Sequence, residues 1–390
     1  MIRVLHLCDA SAGWEHRVSV GQLLARLPAD EVEQSVAVVD AQARLRLGLP
    51  ACRCLLFARR FNLDFLHAAW ALRRFLDRRC VDLVHAWGVR AAAVAECATC
   101  ADGRPVAVTL FHPIVPTRDV RFLRNIREPD RKPILCSADT VRRRLVEQGV
   151  DARRCVVIRP GVDFAAINHA RKSHLRRNIG LTEDCTLIVT PEPVTRTAGH
   201  FAAFWMTAIR SFLDPGVRVV LPGASREQRR LERLARQLNL GHLVICPGSD
   251  VRFEDLIVTA DVAVVVPTVE ISSGSLAWAM AARVPVLGTA VRSVAEMISH
   301  DANGLLFKPL PAKRLAARLA LALADRRPLD RLAEAARAQA YQVFGLGRAV
   351  AQHRRLYNNL VSGRPAGQDI ADSARDGASW RPEEPQALER

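Results

Sequence analysis

The chain has 390 residues, 49% of them hydrophobic and 25% charged, and a formal net charge of +16 in which arginine outweighs lysine. That length predicts two domains, and the composition excludes both a disordered chain and a miniature fold that needs disulfides or metal to hold it together. The charge suits nucleotide phosphates, acidic lipids or nucleic acid, but basic residues spread over many helices, with no RRM, KH or zinc-finger signature, argue against a nucleic-acid binder.

IRVLHLC (2–8) reads as a first strand and not as a leader peptide. No apolar run approaches the length of a membrane span, so a cytoplasmic location is expected. A helix at 21–27, a strand at 34–40, an amphipathic helix at 61–79, a strand at 81–87 and an alanine-rich helix at 89–100 follow. Strands at 105–111 and 133–137, a helix at 138–149 and a strand at 155–161 end the first half. The pattern then restarts with strands at 185–191, 217–223, 242–248, 261–268, 284–288 and 304–307, each separated from the next by helical segments. Strands alternating with helices imply parallel sheets covered on both faces, here as two doubly wound α/β units with a hinge near 162–180. Ligands of such sheets bind beyond the carboxyl ends of the strands. Residues 362–390 are polar without an apolar period and are expected to be a disordered tail. Of the ten cysteines, Cys52 with Cys54 and Cys97 with Cys100 form the only close pairs. Neither has a second pair to complete a zinc set, so buried reduced thiols are expected and no metal site.

The chemistry-bearing stretch is PTVEISSGSLAWAMAARVPVLG (267–288). Glu270 stands at the end of a predicted strand, where a carboxylate can accept hydrogen bonds from sugar hydroxyls. The turn Ser272, Ser273, Gly274 and Ser275 opens a helix whose first amides lack partners within it and, with the helix dipole, favour an anion. Glu270 could equally be a solvated loop charge or a helix cap.

The wider run resembles the group-1, or family-4, nucleotide-sugar glycosyltransferases. The elements that carry the resemblance, in order, are Gly223, Ala260-Asp261, Pro267-Thr268, Glu270, Gly274, Ala279-Met280-Ala281, Pro285-Val286, Glu296 and Asn303-Gly304-Leu305-Leu306. The first half is similar more loosely, through the turn AGWE (12–15) with Gly13, the strand VDLVHAW, His112 in VTLFHP, and the segment ending in Gly161-Val162-Asp163. Residues 344–361 look like the family's return helix across both domains, so the resemblance covers roughly 1–361.

The resemblance implies a GT-B fold: two Rossmann-like domains, 1–161 for the acceptor and 162–340 for the donor nucleotide, facing a cleft, with 341–361 as the return helix. It implies retaining transfer from a nucleotide-diphosphate sugar, without a metal or other cofactor. It assigns Glu270 to the donor sugar, and Gly223 and the turn from Ser272 to Leu276 to phosphate and sugar. His112 would hydrogen-bond the transferred sugar or leaving group, or cap a neighbouring loop. Trp87 would stack on a sugar or belong to the core. Arg118 and Arg121, with Arg124 and Arg127 at the same three-residue spacing, would border an acidic or lipid-linked acceptor, or form a solvated basic face. Arg73, Arg74, Arg78 and Arg79 beside Phe65, Trp70 and Phe75 suit either anionic lipid or an ordinary buried helix with a basic outer face.

Two departures stand out. Trp278 occupies the position of the family's second, ribose-binding glutamate; indole is donor-only, so it either packs in the core or closes off the nucleotide pocket. Pro193 and Ala198 stand where the family places two phosphate-binding cations, leaving Arg196 as the only cation of that segment. These departures keep open an alternative in which the chain is a degenerate relative serving as a binding or scaffolding module.

Overall fold

The computed structural model describes residues 1–9, 14–39, 53–54, 63–126, 128, 130–169, 176–182, 184–190, 199–222, 225–247, 253–272, 274–368 and 370. Among the described residues the chain divides into two units, one comprising Met1–Gly161 with the segment from Leu346 to Ile370, the other Val162–Gly345.

The first unit runs β1 (Ile2–Cys8), α1 (Trp14–Arg26), β2 (Val32–Val38), β3 (Arg53–Cys54), α2 (Leu63–Arg79), β4 (Leu83–Trp87), α3 (Val89–Thr99), β5 (Val106–Leu110), α4 (Thr117–Asn125), β6 (Ile134–Cys136), α5 (Asp139–Glu147) and β7 (Cys155–Val157). The second runs α6 (Phe164–His169), β8 (Leu187–Val189), α7 (His200–Arg210), β9 (Arg218–Val220), α8 (Arg226–Gln237), β10 (Val244–Ile245), α9 (Phe253–Thr259), β11 (Val262–Val265), α10 (Gly274–Ala281), β12 (Val286–Thr289), α11 (Arg292–Ala295), β13 (Leu305–Phe307), α12 (Ala312–Ala322) and α13 (Arg326–Phe344). The final helix, α14 (Leu346–Val361), returns to the first unit.

The first sheet has seven strands in the order β3-β2-β1-β4-β5-β6-β7, and the second has six in the order β10-β9-β8-β11-β12-β13. Strand pairs such as β1 with β2 and β4, or β11 with β8 and β12, are parallel. In each unit the first strand has neighbours on both sides, so the winding reverses between β1 and β4, and again between β8 and β11. Side chains alternate across each sheet. Along β1, Leu5 and Leu7 enter the core under α2 and α3, while Val4 and Cys8 enter the one under α1 and α14. Burial on both faces is why these strands read as nearly continuous apolar runs.

Local sequence explains several boundaries. Ser225 accepts from Gln228 N at 3.0 Å to start α8, and Asp325 accepts from Arg327 N at 3.1 Å to start α13. Asp261, part of the Ala-Asp strand start, anchors the amino ends of the central strands β8 and β11. It accepts from Leu187 N at 2.7 Å and pairs with the buried Arg176, which also reaches Thr259 O at 3.0 Å.

Two expectations are corrected. Residues 362–370 are not all tail: Ala366 and Ile370 are buried in the core with α14, and Asn359 Nδ2 donates to Gln368 O at 2.9 Å. Two apolar residues without a repeat left no period to read. The rest of the expected tail, 371–390, lies outside the described residues. Cys97 and Cys100 are free thiols as expected, but half-buried and exposed respectively, because Cys97 packs at the rim of the core and Cys100 lies just past the end of α3.

Candidate functional site

At the carboxyl edge of the second sheet, β11 ends at Val265, and Glu270 lies beyond it in the loop to α10 instead of at the strand end. The loop is tied to the last residue of β12 and to the short helix that follows it. Thr289 Oγ1 donates to Pro267 O at 2.8 Å, Ile271 N donates to Ser293 Oγ at 3.0 Å, and Ser293 N donates to Glu270 Oε2 at 2.7 Å. Glu270 is therefore a cap of the short helix α11, and that bond orients the carboxylate while using only one of its oxygens. Ser293 is the positioning residue that sequence reasoning missed; one serine after a strand carries no signal of which loop it will meet.

The turn leads into α10, all eight of whose residues are buried, Ser275 and Leu276 among them. Ser272 is buried, and Gly274 N approaches its Oγ at 3.5 Å. Trp278 is 8% exposed inside this helix, a burial that suits both of its expected places, packing in the core or closing off a pocket. A helix apolar all round must be enclosed, and at its far end Arg337 Nη1 donates to Ala281 O at 2.6 Å. At the switch point, Gly199 enters α7 with φ of 68°. A Cβ there would stand 1.8 Å from Val266 O, so glycine is required where α7 begins against the end of β11. Gly223, Ser273 and Arg196 lie outside the described residues, as do Pro193, Ala198 and Gly13.

In the first unit, His112 is exposed just past β5, and Ile114 N donates to its Nδ1 at 3.3 Å. Its neutral form then carries the proton on Nε2, and partial desolvation lowers its pKa. Arg118 and Arg121 are exposed on α4, whose inner side buries Val120 and Leu123; Arg118 Nε lies 3.4 Å from the adjacent Asp119.

Trp87 is 1% exposed, which corrects its expected place as a sugar platform. It stacks on His85 at 4.2 Å and donates from Nε1 to His6 Nδ1 at 3.1 Å. His6 Nε2 in turn meets Gln34 Oε1 at 3.1 Å, while His85 meets Tyr357 Oη at 2.7 Å and Thr109 Oγ1 at 2.6 Å. The cavity beside Trp87, lined also by Phe111, Arg159 and His353, measures ≈ 20 Å³, room for about one water and not for a hexose. Burial pushes His6, His16 and His353 down to about 4 and His85 well below its usual value, so the cluster is neutral. Asp9, at the end of β1, accepts from Ala91 N at 3.0 Å and caps α3 across the switch point.

A family model described as Glycosyltransferase Family 4 matches residues 3–166, and one described as Glycosyl transferases group 1 matches residues 195–339. An uncharacterized glycosyltransferase of Methanocaldococcus jannaschii is 31% identical over 35% of this chain and 36% of its own length. A D-inositol 3-phosphate glycosyltransferase of Geodermatophilus obscurus is 28% identical over 53% of this chain and 48% of its own. The chain thus matches about half or less of the length of these curated relatives. The solved structure of the Anabaena protein HepE with UDP-glucose superposes with a TM-score of 0.76 at 18% identity, covering 93% of this chain and 100% of that one, a likeness of fold. With both halves matched by their models and both sheets wound in this way, the chain belongs to the group-1 glycosyltransferases of the GT-B fold.

Proposed function

We propose that the chain transfers a sugar from a nucleotide-diphosphate donor, with retention of configuration and without a metal, to an acidic glycan or lipid-linked acceptor of the cell envelope. The observation that carries this reading is Glu270. Its carboxylate is held through Oε2 by Ser293 N at the carboxyl edge of the second sheet, which keeps Oε1 for a sugar hydroxyl. The turn from Ser272 to Leu276, which matches the family's phosphate- and sugar-binding turn, would receive the donor at the start of α10. His112 donates from Nε2 to the transferred sugar or leaving group, and Arg118 and Arg121 attract the acidic acceptor. Two relatives support the class: HepE was crystallised with UDP-glucose, and the Geodermatophilus enzyme is named for a phosphorylated substrate. A lipid-linked acceptor would bring the chain to the inner face of a membrane as a peripheral protein.

Titration with UDP, GDP and ADP, followed by turnover of the matching sugar nucleotides, tests the proposal. One nucleotide is expected to saturate. Glu270→Gln is expected to lower turnover by about 100-fold or more while nucleotide affinity stays within about threefold. Glutamine still offers an oxygen to Ser293 N, so the loop keeps its cap. Trp278, buried where the family has a carboxylate, favours a second reading, a binding module. Nucleotide binding without Glu270-dependent turnover would select that reading, and failure to bind any of the three nucleotides would overturn the transferase.

A further inference from the structure

The sequence left α2 with two readings, a face for anionic lipid or an ordinary buried helix with a basic outer face, and its outer face is apolar as well as basic. Ala68, Ala69, Leu72 and Leu76 are buried and share a core with Ala91, Ala92 and Ala95 of α3. On the opposite face Leu66 is 59% exposed and Trp70 55% exposed, with Phe65 beside them at 37%. Four-residue steps continue this stripe from Leu66 and Trp70 to Arg74 and Arg78, both exposed. The Arg74 guanidinium lies 4.8 Å from the Trp70 ring centroid, and Arg73 and Arg79 flank the stripe. The acid on this turn, Asp77, lies 3.7 Å from Arg104, so its charge is partly answered within the protein.

We propose that this face of α2 is a docking surface for an anionic lipid bilayer. Tryptophan beside leucine suits the boundary between headgroups and acyl chains, where the ring body is buried and the indole N–H stays wet. Arginines in the following turns of the same stripe pair with lipid phosphates. Charge complementarity separates this occupant from a second copy of the chain, which would bring the same arginines face to face. Three apolar side chains and four cations give reversible, salt-sensitive binding, not insertion. Among the described residues no helix is long and apolar enough to cross a membrane. The inference goes beyond the transferase reading and holds whether or not a nucleotide binds.

The test is flotation of the full chain with phosphatidylcholine vesicles, compared with vesicles containing about one third phosphatidylglycerol. The expected result is at least about tenfold stronger partitioning to the anionic vesicles, lost at high salt. Leu66→Ser with Trp70→Ser is expected to weaken binding about tenfold with an unchanged melting temperature, since both side chains are already exposed. Arg74→Glu with Arg78→Glu is expected to remove the preference for anionic lipid. Phe212, 88% exposed in the second unit, is the control, and Phe212→Ser is expected to leave binding within about twofold. Equal binding to both vesicles, no binding to either, a loss caused by Phe212→Ser alone, or a concentration-dependent dimer that disappears in Trp70→Ser would each overturn the proposal.

Discussion

The two units share a winding and differ in what occupies the switch point. In the first, the carboxylate that follows β1, Asp9, caps the helix that follows β4. The side chains beside it close into a network of His6, His85, Trp87, Thr109 and Tyr357. In the second, the carboxylate that follows β11 serves α11 and not α10, and small residues lead into α10, Ser272 before it and Gly274 at its start. One fold edge thus becomes core or candidate site according to which helix start its acid caps. A helix N-terminus that already holds a protein carboxylate has little field left for a phosphate.

The largest test of this contrast is acid. Burial lowers the pKa of His6, His16 and His353 to about 4, whereas the unfolded chain takes up these protons near 6.5. Between those values the unfolded state binds more protons, so the first unit loses stability as pH falls from 6.5 towards 4 and regains it above. By pH 5.5 the loss is somewhat over about 1 kcal/mol for each histidine, about 4 kcal/mol for the three together. Hydrogen exchange at pH 7.5 and 5.5 is expected to show protection in β1, β4 and α14 falling before that of β8 and β11. Simultaneous loss in both units would break the comparison.

A smaller effect comes from moving an acid. Ser272→Asp would give α10 the carboxylate that α3 has, and is expected to weaken nucleotide-diphosphate binding about tenfold, or about 1.4 kcal/mol. Calorimetry with whichever nucleotide saturates the wild type reads this directly, and unchanged affinity would show that α10 does not face the phosphates. Smallest is the reverse change. Asp9→Ala removes the α3 cap and is expected to cost about 1 kcal/mol, seen as a lower melting temperature of the first unit. A neutral result would mean that Ala91 N finds another acceptor.

The sequence by itself determined the two parallel sheets, the order of their elements and the stretch around Glu270. Strand and helix periods, and motifs in fixed order, are local properties that survive without knowledge of neighbours. Tertiary structure alone decided what those residues touch. It brought Ser293 to Glu270, Asp9 to Ala91 and Tyr357 to His85 across 23, 82 and 272 residues. It took Trp87 and Trp278 inside and left Trp70 outside. An aromatic residue at a strand end or on a helix has the same apolar area in either place, and only the packing of the opposite face decides which side meets water.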